Sequence, residues 1–170
     1  MVACSDSRVD PQTVFGAVPG ELFVVRNVAG LVPPYHPDAA YHGTSAALEY
    51  GVRVLGVARI VVLGHAQCGG VRAMVEGAPE AARDFVEPWM GIAQPVRRAL
   101  AESAVEGCSA ADLLDQGEIE VVRLSLANLA SFPWISAAVQ AGRLELGGFR
   151  FDIHTGVLGR LEGDRMVPVT

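Results

Sequence analysis

Apolar residues along this chain come in short blocks with different spacings. Met1-Val2-Ala3-Cys4 is continuous and apolar and stops at the polar turn Ser5-Asp6-Ser7-Arg8, which predicts a strand leading into a turn. Asp10-Pro11 pairs an N-cap residue with a proline for the first helical position, so a short helix begins there. Pro19-Gly20 marks a turn, and Leu22-Phe23-Val24-Val25 reads as a buried strand. From Gly30 to Gly43, three prolines and two histidines predict an irregular loop. Thr44 or Ser45 can cap a helix that reaches about Leu55. Arg59-Ile60-Val61-Val62-Leu63 is a continuous apolar run after its first residue, as in a strand covered on both faces.

The turn Gly64-His65-Ala66-Gln67-Cys68-Gly69-Gly70 then precedes a short helix near Val71–Val75. From Glu80 to Ser131 the pattern is mostly helical, with breaks expected near Gly107 and Gly117. Pro133 can start another helix that stops near Gly142. Phe149-Arg150-Phe151-Asp152-Ile153 alternates, and Val157–Leu161 can return as its hairpin partner. Strands alternating with helices predict an α/β fold: a mostly parallel central β-sheet flanked by helices. Such sheets bind ligands beyond the carboxyl ends of their strands, where the turns after Cys4 and Leu63 both fall.

Composition narrows the class. The 170 residues suit one domain spanning 1–170. With 51% hydrophobic and 19% charged residues, the chain is no disordered segment. No apolar run approaches the ~18 residues of a membrane span. The net charge of −6, with arginine as the only basic side chain besides histidine and no basic cluster, speaks against nucleic acid or an anionic membrane as partner. No charged region followed by an apolar stretch opens the sequence, so no secretory leader is expected. Three cysteines do not suggest a disulfide framework, so Cys4, Cys68 and Cys108 read as reduced thiols of a cytoplasmic protein.

The sharpest chemical signal is His65-x-x-Cys68 directly after a buried strand. Imidazole and thiolate are natural zinc ligands, and Cys4 offers a third donor at another strand end. Three protein ligands with one open position is the catalytic zinc pattern; the fourth position takes water or a carboxylate. Asp6 is the nearest carboxylate, and Arg8 can pair with it bidentately and keep it ionised. The plainer alternatives are two buried cysteines with a satisfied histidine, and an ordinary Asp6–Arg8 salt bridge. Cys108 has no metal-like neighbour, and His36 and His42 fit solvent-facing loop positions. Gly69-Gly70 lacks the pattern of a phosphate loop.

Ala3-Cys4-Ser5-Asp6-Ser7-Arg8-Val9 and Gly64-His65-Ala66-Gln67-Cys68-Gly69-Gly70 resemble the two signatures of the β-class carbonic anhydrases. Pro19–Asn27 and Ser45–Tyr50 continue the resemblance, and Asn128–Pro133 and Gly142–Leu144 extend it more weakly. It covers nearly the whole chain and lies closer to the plant-like branch. The allosteric branch carries a tryptophan three residues before the first cysteine, where this sequence has Met1.

The resemblance implies one zinc ion on Cys4, His65 and Cys68, and a catalytic dyad of Asp6 and Arg8. It places Phe23, Val28 and Tyr50 around an apolar pocket for carbon dioxide, with the Gly69 amide assisting. It implies reversible hydration of carbon dioxide to bicarbonate by a metal-activated water, in a homodimer or higher even oligomer. Family members carry a helical N-terminal arm that packs over the partner subunit, and this sequence opens at the first zinc strand, so a domain without that arm is expected. Two rivals stand beside this reading: turnover of carbonyl sulfide or carbon disulfide on the same fold, and a catalytically silent zinc-binding protein.

Overall fold

The β-branched run after Arg59 forms the central strand of the sheet, β3 (Arg59–His65). On one side lie β1 (Val2–Cys4) and then β2 (Val25–Asn27). On the other lie β4 (Glu145–Phe151), β5 (Leu158–Glu162) and β6 (Arg165–Pro168). The computed structural model describes residues 1–103 and 109–169. Strands β2, β1, β3 and β4 run parallel, and β5 and β6 are antiparallel additions.

The chain order explains where a site can form. From β1 the chain crosses to β2 on one side, then passes to β3 on the other. That reversal opens a crevice at the carboxyl ends of β1 and β3. Val2 pairs with Val62 and Ala3 with Leu63, so Cys4 and His65 both emerge at that crevice.

Strand alternation sorts the core. Val2, Ile60 and Val62 face α6 (Ala110–Ala130) and α7 (Pro133–Gln140), where Val122, Leu129, Phe132 and Ile135 are fully buried. Each large apolar side chain buried this way contributes roughly 1.5–3 kcal/mol. Ala3 and Leu63 face the other way, against Val9 and Phe15 of the segment around α1 (Pro11–Phe15). A third cluster caps the crevice: Cys4 and Cys68 pack with Leu31, Val71, Met74, Met90 and Leu100. It draws on α3 (Gly69–Glu76), α4 (Val86–Met90) and α5 (Gln94–Ser103).

Several expectations need correction. The strand expected at Leu22–Val25 is Val25–Asn27, an edge strand, with Phe23 exposed. Its register is set by Val2↔Val25, Ala3↔Arg26 and Cys4↔Asn27, which align its three residues with β1. Helix α2 (Gly43–Glu49) starts two to three residues earlier than a Thr44 or Ser45 cap implies, with His42 at the N-cap. The Thr44 hydroxyl is occupied elsewhere, accepting from Asn27 Nδ2 at 3.1 Å. The last turn, Tyr50–Val54, widens to π-helical geometry.

Gly117 does not break a helix; it lies inside α6. A Cβ there would meet Val71 at 3.1 Å and Leu100 and Met74 at 3.4 Å, so its bareness lets α6 settle close against α3 and α5. Strand β6 escaped the sequence reading. The break expected at Gly107, and Cys108 itself, lie outside the described residues.

Candidate metal centre

The turn after β1 is shaped by an arginine on the neighbouring strand. Arg26 donates from Nε to the Cys4 carbonyl at 2.8 Å and from Nη2 to the carbonyls of Asp6 and Val9. The Ser5 N–H donates to the Asn27 carbonyl at 2.8 Å. The turn after β3 is shaped just as locally: the Ala66 N–H donates to Phe151 at 2.9 Å, and Gln67 adopts a left-handed φ of 56°. These turns bring Cys4, His65 and Cys68 together.

The ligand atoms of Cys4, His65 and Cys68 all lie within 4.8 Å of one another, and all three residues are buried. The two sulfurs are 3.9 Å apart. Two thiolates in a tetrahedral site with metal–sulfur bonds near 2.3 Å stand about 3.8 Å apart. His65 Nδ1 lies 2.8 Å from the Ala66 carbonyl, which can only accept, so in the neutral imidazole Nδ1 carries the proton and Nε2 offers a lone pair. That Nε2 is buried and has no hydrogen-bond partner among the described residues. A merely satisfied core histidine would not leave it so. The donor set therefore fits a soft divalent cation such as zinc.

Electrostatics point the same way. Cys4 is drawn below the ordinary thiol range by its hydrogen bond with Cys68, and His65 adds to the effect. Cys68 is pushed up by the same bond and by burial, although the N–H groups of Gly70 and Val71 point at its sulfur. Two sulfurs in contact share one proton where a cation would satisfy both. Asp6 lies beside them, its Oδ2 4.0 Å from His65 Nε2. Hydrogen bonds from the Arg8 side chain hold its carboxyl well below the usual carboxylate range. Arg8 also reaches the Gln67 carbonyl at 3.1 Å.

Behind Cys68 sits a buried carboxylate the sequence reading missed. Glu118 of α6 accepts the Cys68 N–H at 3.2 Å and, on its other oxygen, Arg150 Nε at 2.9 Å and Nη2 at 2.7 Å. Arg150 also pairs with Asp115 at 2.7 Å. The available signal was an acidic residue on the apolar stripe of α6, next to a glycine. Arg26 was missed as well, because nothing local in Val25-Arg26-Asn27 shows that its fork meets three carbonyls.

Of the expected pocket residues, Val28 packs against the cluster containing Cys4 and Cys68, and Gly69 opens α3 directly after Cys68. Phe23 and Tyr50 are elsewhere. Their rings lie 6.0 Å apart at the amino-terminal edge of the sheet, where Phe23 lines a groove of about 780 Å³ with Met1, Val57 and Leu146. Parallel pairing puts them at the opposite strand ends from the Cys4, His65 and Cys68 of their own chain. His36 and His42 face solvent around Asp38, with His42 Nε2 2.6 Å from its carboxylate.

Comparison with known proteins identifies the family. The family model for carbonic anhydrase matches residues 1–158. A carbonic anhydrase of Pseudomonas aeruginosa is 41% identical over 162 residues, which is 95% of this chain and 72% of that protein. Beta carbonic anhydrase 3 of Arabidopsis thaliana is 35% identical over 166 residues, covering 95% of this chain and 63% of that protein. Among solved structures, the β-carbonic anhydrase CcaA superposes with a TM-score of 0.91 at 30% identity, covering 99% of this chain and 82% of the other. A tetrameric β-carbonic anhydrase structure from Sordaria macrospora gives 0.82 at 29% identity, covering 99% and 80%. With the matched family, the shared sheet and the Cys4–His65–Cys68 cluster, the chain belongs to the β-class carbonic anhydrases.

Proposed function

We propose that this chain catalyses the reversible hydration of carbon dioxide to bicarbonate and a proton, using one zinc ion held by Cys4, His65 and Cys68. One observation carries the reading. The orphaned Nε2 of His65 and two sulfurs 3.9 Å apart converge beside a carboxylate that Arg8 holds in place. Bound to this donor set, zinc supplies the Lewis acidity that lowers the pKa of a water molecule.

The chain's own residues divide the remaining work. Asp6, kept ionised by Arg8, can only accept, so it takes a hydrogen bond from the attacking water and fixes its orientation. Arg8 grips both oxygens of Asp6, which keeps the carboxylate from becoming a ligand itself. Val28 supplies an apolar wall that suits an uncharged linear substrate. The Gly69 N–H, at the start of α3, donates toward a substrate oxygen and favours the anionic product.

The proposal includes a homodimer or higher even assembly in the cytoplasm. Phe23, Tyr50, Val54 and Leu55 are all exposed and leave an apolar patch beside α2 that suits a second copy of the chain. The Sordaria relative is tetrameric. No described helix is long and apolar enough to cross a membrane. The single-domain organisation over 1–170 belongs to the same proposal.

Carbonyl sulfide or carbon disulfide would use the same donors and differ only in fit to the pocket. A silent zinc-binding protein would have no use for the Asp6–Arg8 grip, and that grip favours an enzyme. Stopped-flow assays of the zinc-loaded protein with each substrate separate the readings. Carbon dioxide is expected to be the fastest substrate. Faster turnover of carbonyl sulfide or carbon disulfide, or none of any of them, would overturn the proposal.

A further inference from the structure

The peptide unit between Gln67 and Cys68 is gripped from both sides. Its carbonyl oxygen accepts from Arg8 Nη2 at 3.1 Å, and its N–H donates to Glu118 Oε1 at 3.2 Å. On one side stands the Asp6–Arg8 pair; on the other stands the buried pair of Glu118 and Arg150. The unit needs holding. Gln67 has a φ of 56°, a left-handed conformation that a non-glycine residue keeps only where the surroundings enforce it.

The placement of Glu118 is costly. Its side chain is 2% exposed and that of Arg150 15%. A buried ion pair is often no more stabilising than apolar residues of the same volume. The helix nonetheless brings Glu118 here, because the bare Gly117 lets α6 lie against Val71 and Leu100. Oε1 is left free of Arg150 and spent on the Cys68 amide.

We propose that Glu118 is a positioning residue for the metal centre: by accepting the Cys68 N–H it fixes the Gln67–Cys68 peptide, which aims the Cys68 sulfur and anchors Arg8, and through Arg8 the Asp6 carboxylate. This rests on the assignment of Cys4, His65 and Cys68 as metal ligands. Loss of the Glu118 acceptor frees the peptide to turn, loosens Arg8 and lets Asp6 move toward the donor set.

The test compares two double variants of the full chain. Glu118→Met with Arg150→Met removes both buried charges together, so no lone charge is left to unfold the protein, and it leaves the Cys68 N–H without an acceptor. Glu118→Gln with Arg150→Gln also removes both charges and keeps an amide oxygen for that N–H. Zinc affinity is read by chelator competition, and the ligand field by the absorption spectrum of the cobalt-loaded protein. The methionine pair is expected to lose about tenfold or more in zinc affinity, as outer-shell losses commonly do, and to show a shifted cobalt spectrum. The glutamine pair is expected to stay within about threefold of wild type, with an unshifted spectrum. A methionine pair within about twofold of wild type, or a glutamine pair as impaired as the methionine pair, would overturn the proposal. If either variant fails to fold, amide hydrogen exchange at Cys68 in the wild type decides: slow exchange is expected, and fast exchange overturns it. None of these readouts depends on turnover, so absent carbon dioxide hydration would sink the proposed activity and leave this test standing.

Discussion

Arg8 holds Asp6 through three hydrogen bonds: Nε and the backbone N–H at 2.9 Å on Oδ1, and Nη2 at 2.6 Å on Oδ2. The guanidinium plane and the carboxylate plane are thereby locked together, and the carboxylate stands 4.0 Å from His65 Nε2 without being consumed by it. The pair is local, two residues apart, yet it is tied to the second half of the site through the Gln67 carbonyl.

Arg8→Ala is expected to keep one zinc per chain and lose most turnover, because Asp6 is then free to swing toward the donor set. Arg8→Lys should recover little, since an ammonium cannot reproduce the fork. Metal analysis with stopped-flow hydration checks both, and near wild-type turnover in Arg8→Lys would mean that charge alone is enough.

Hydration is expected to rise with pH between about 6 and 9. Two thiolates offset the charge of a divalent cation, so the site polarises water less than one built from three imidazoles, whose water has a pKa of about 7. A flat rate over that range would contradict this.

Stability has its own pH dependence. Asp6 is held below the usual carboxylate range by Arg8, Asp10 by the Thr13 N–H, Asp112 by the Ser109 hydroxyl and Asp152 by the His154 N–H. With folded values depressed, the unfolded chain binds more protons, so these groups stabilise above the ordinary range near 4 and lose that effect as the pH falls. Burial pushes Glu118 the other way, so its contribution is greatest in acid and declines as the pH rises. Asp38, held down by its hydrogen bond with His42, is a fifth such group; five depressed carboxylates outnumber the one raised, and the melting temperature is expected to fall from about pH 6 to pH 3. An unchanged or rising value in thermal melts would contradict the balance.

Gly64→Ala tests how tightly α6 covers the site. A Cβ at Gly64 would meet Val122 Cγ2 at 2.6 Å. Overpacking of this kind costs about 1–3 kcal/mol. Denaturant melts should show that loss, and a partial recovery when Val122→Ala is added. Full stability in Gly64→Ala alone would mean that the helix gives way easily.

The exposed patch makes a further prediction. Leu55→Glu should lower the mass seen by light scattering, because it places a charge among Phe23, Tyr50 and Val54. An unchanged oligomer would move the contact to another face.

Much of the candidate site was legible because its donor residues are tied to local punctuation. Cys4 and His65-x-x-Cys68 each follow an apolar strand and open a polar turn, and the parallel pairing of those strands does the rest. The Asp6–Arg8 pair was legible for the same reason. Phe23 and Tyr50 were not, because sequence order says nothing about which end of a strand a flanking residue occupies. Glu118 was hidden because α6 reaches the Cys68 amide over a separation of 50 residues. Strand β6 is short and exposed, and its sequence carries too little alternation to separate it from a terminal loop.

The most direct test of the central claim is a zinc titration of metal-stripped protein followed by stopped-flow carbon dioxide hydration. The account predicts that the rate climbs from near background to a plateau at one zinc per chain, and that Cys68→Ala stays near background throughout. A stripped wild type that already hydrates at the plateau rate, or a Cys68→Ala variant that titrates like wild type, would contradict the assignment of Cys4, His65 and Cys68 as the catalytic metal centre.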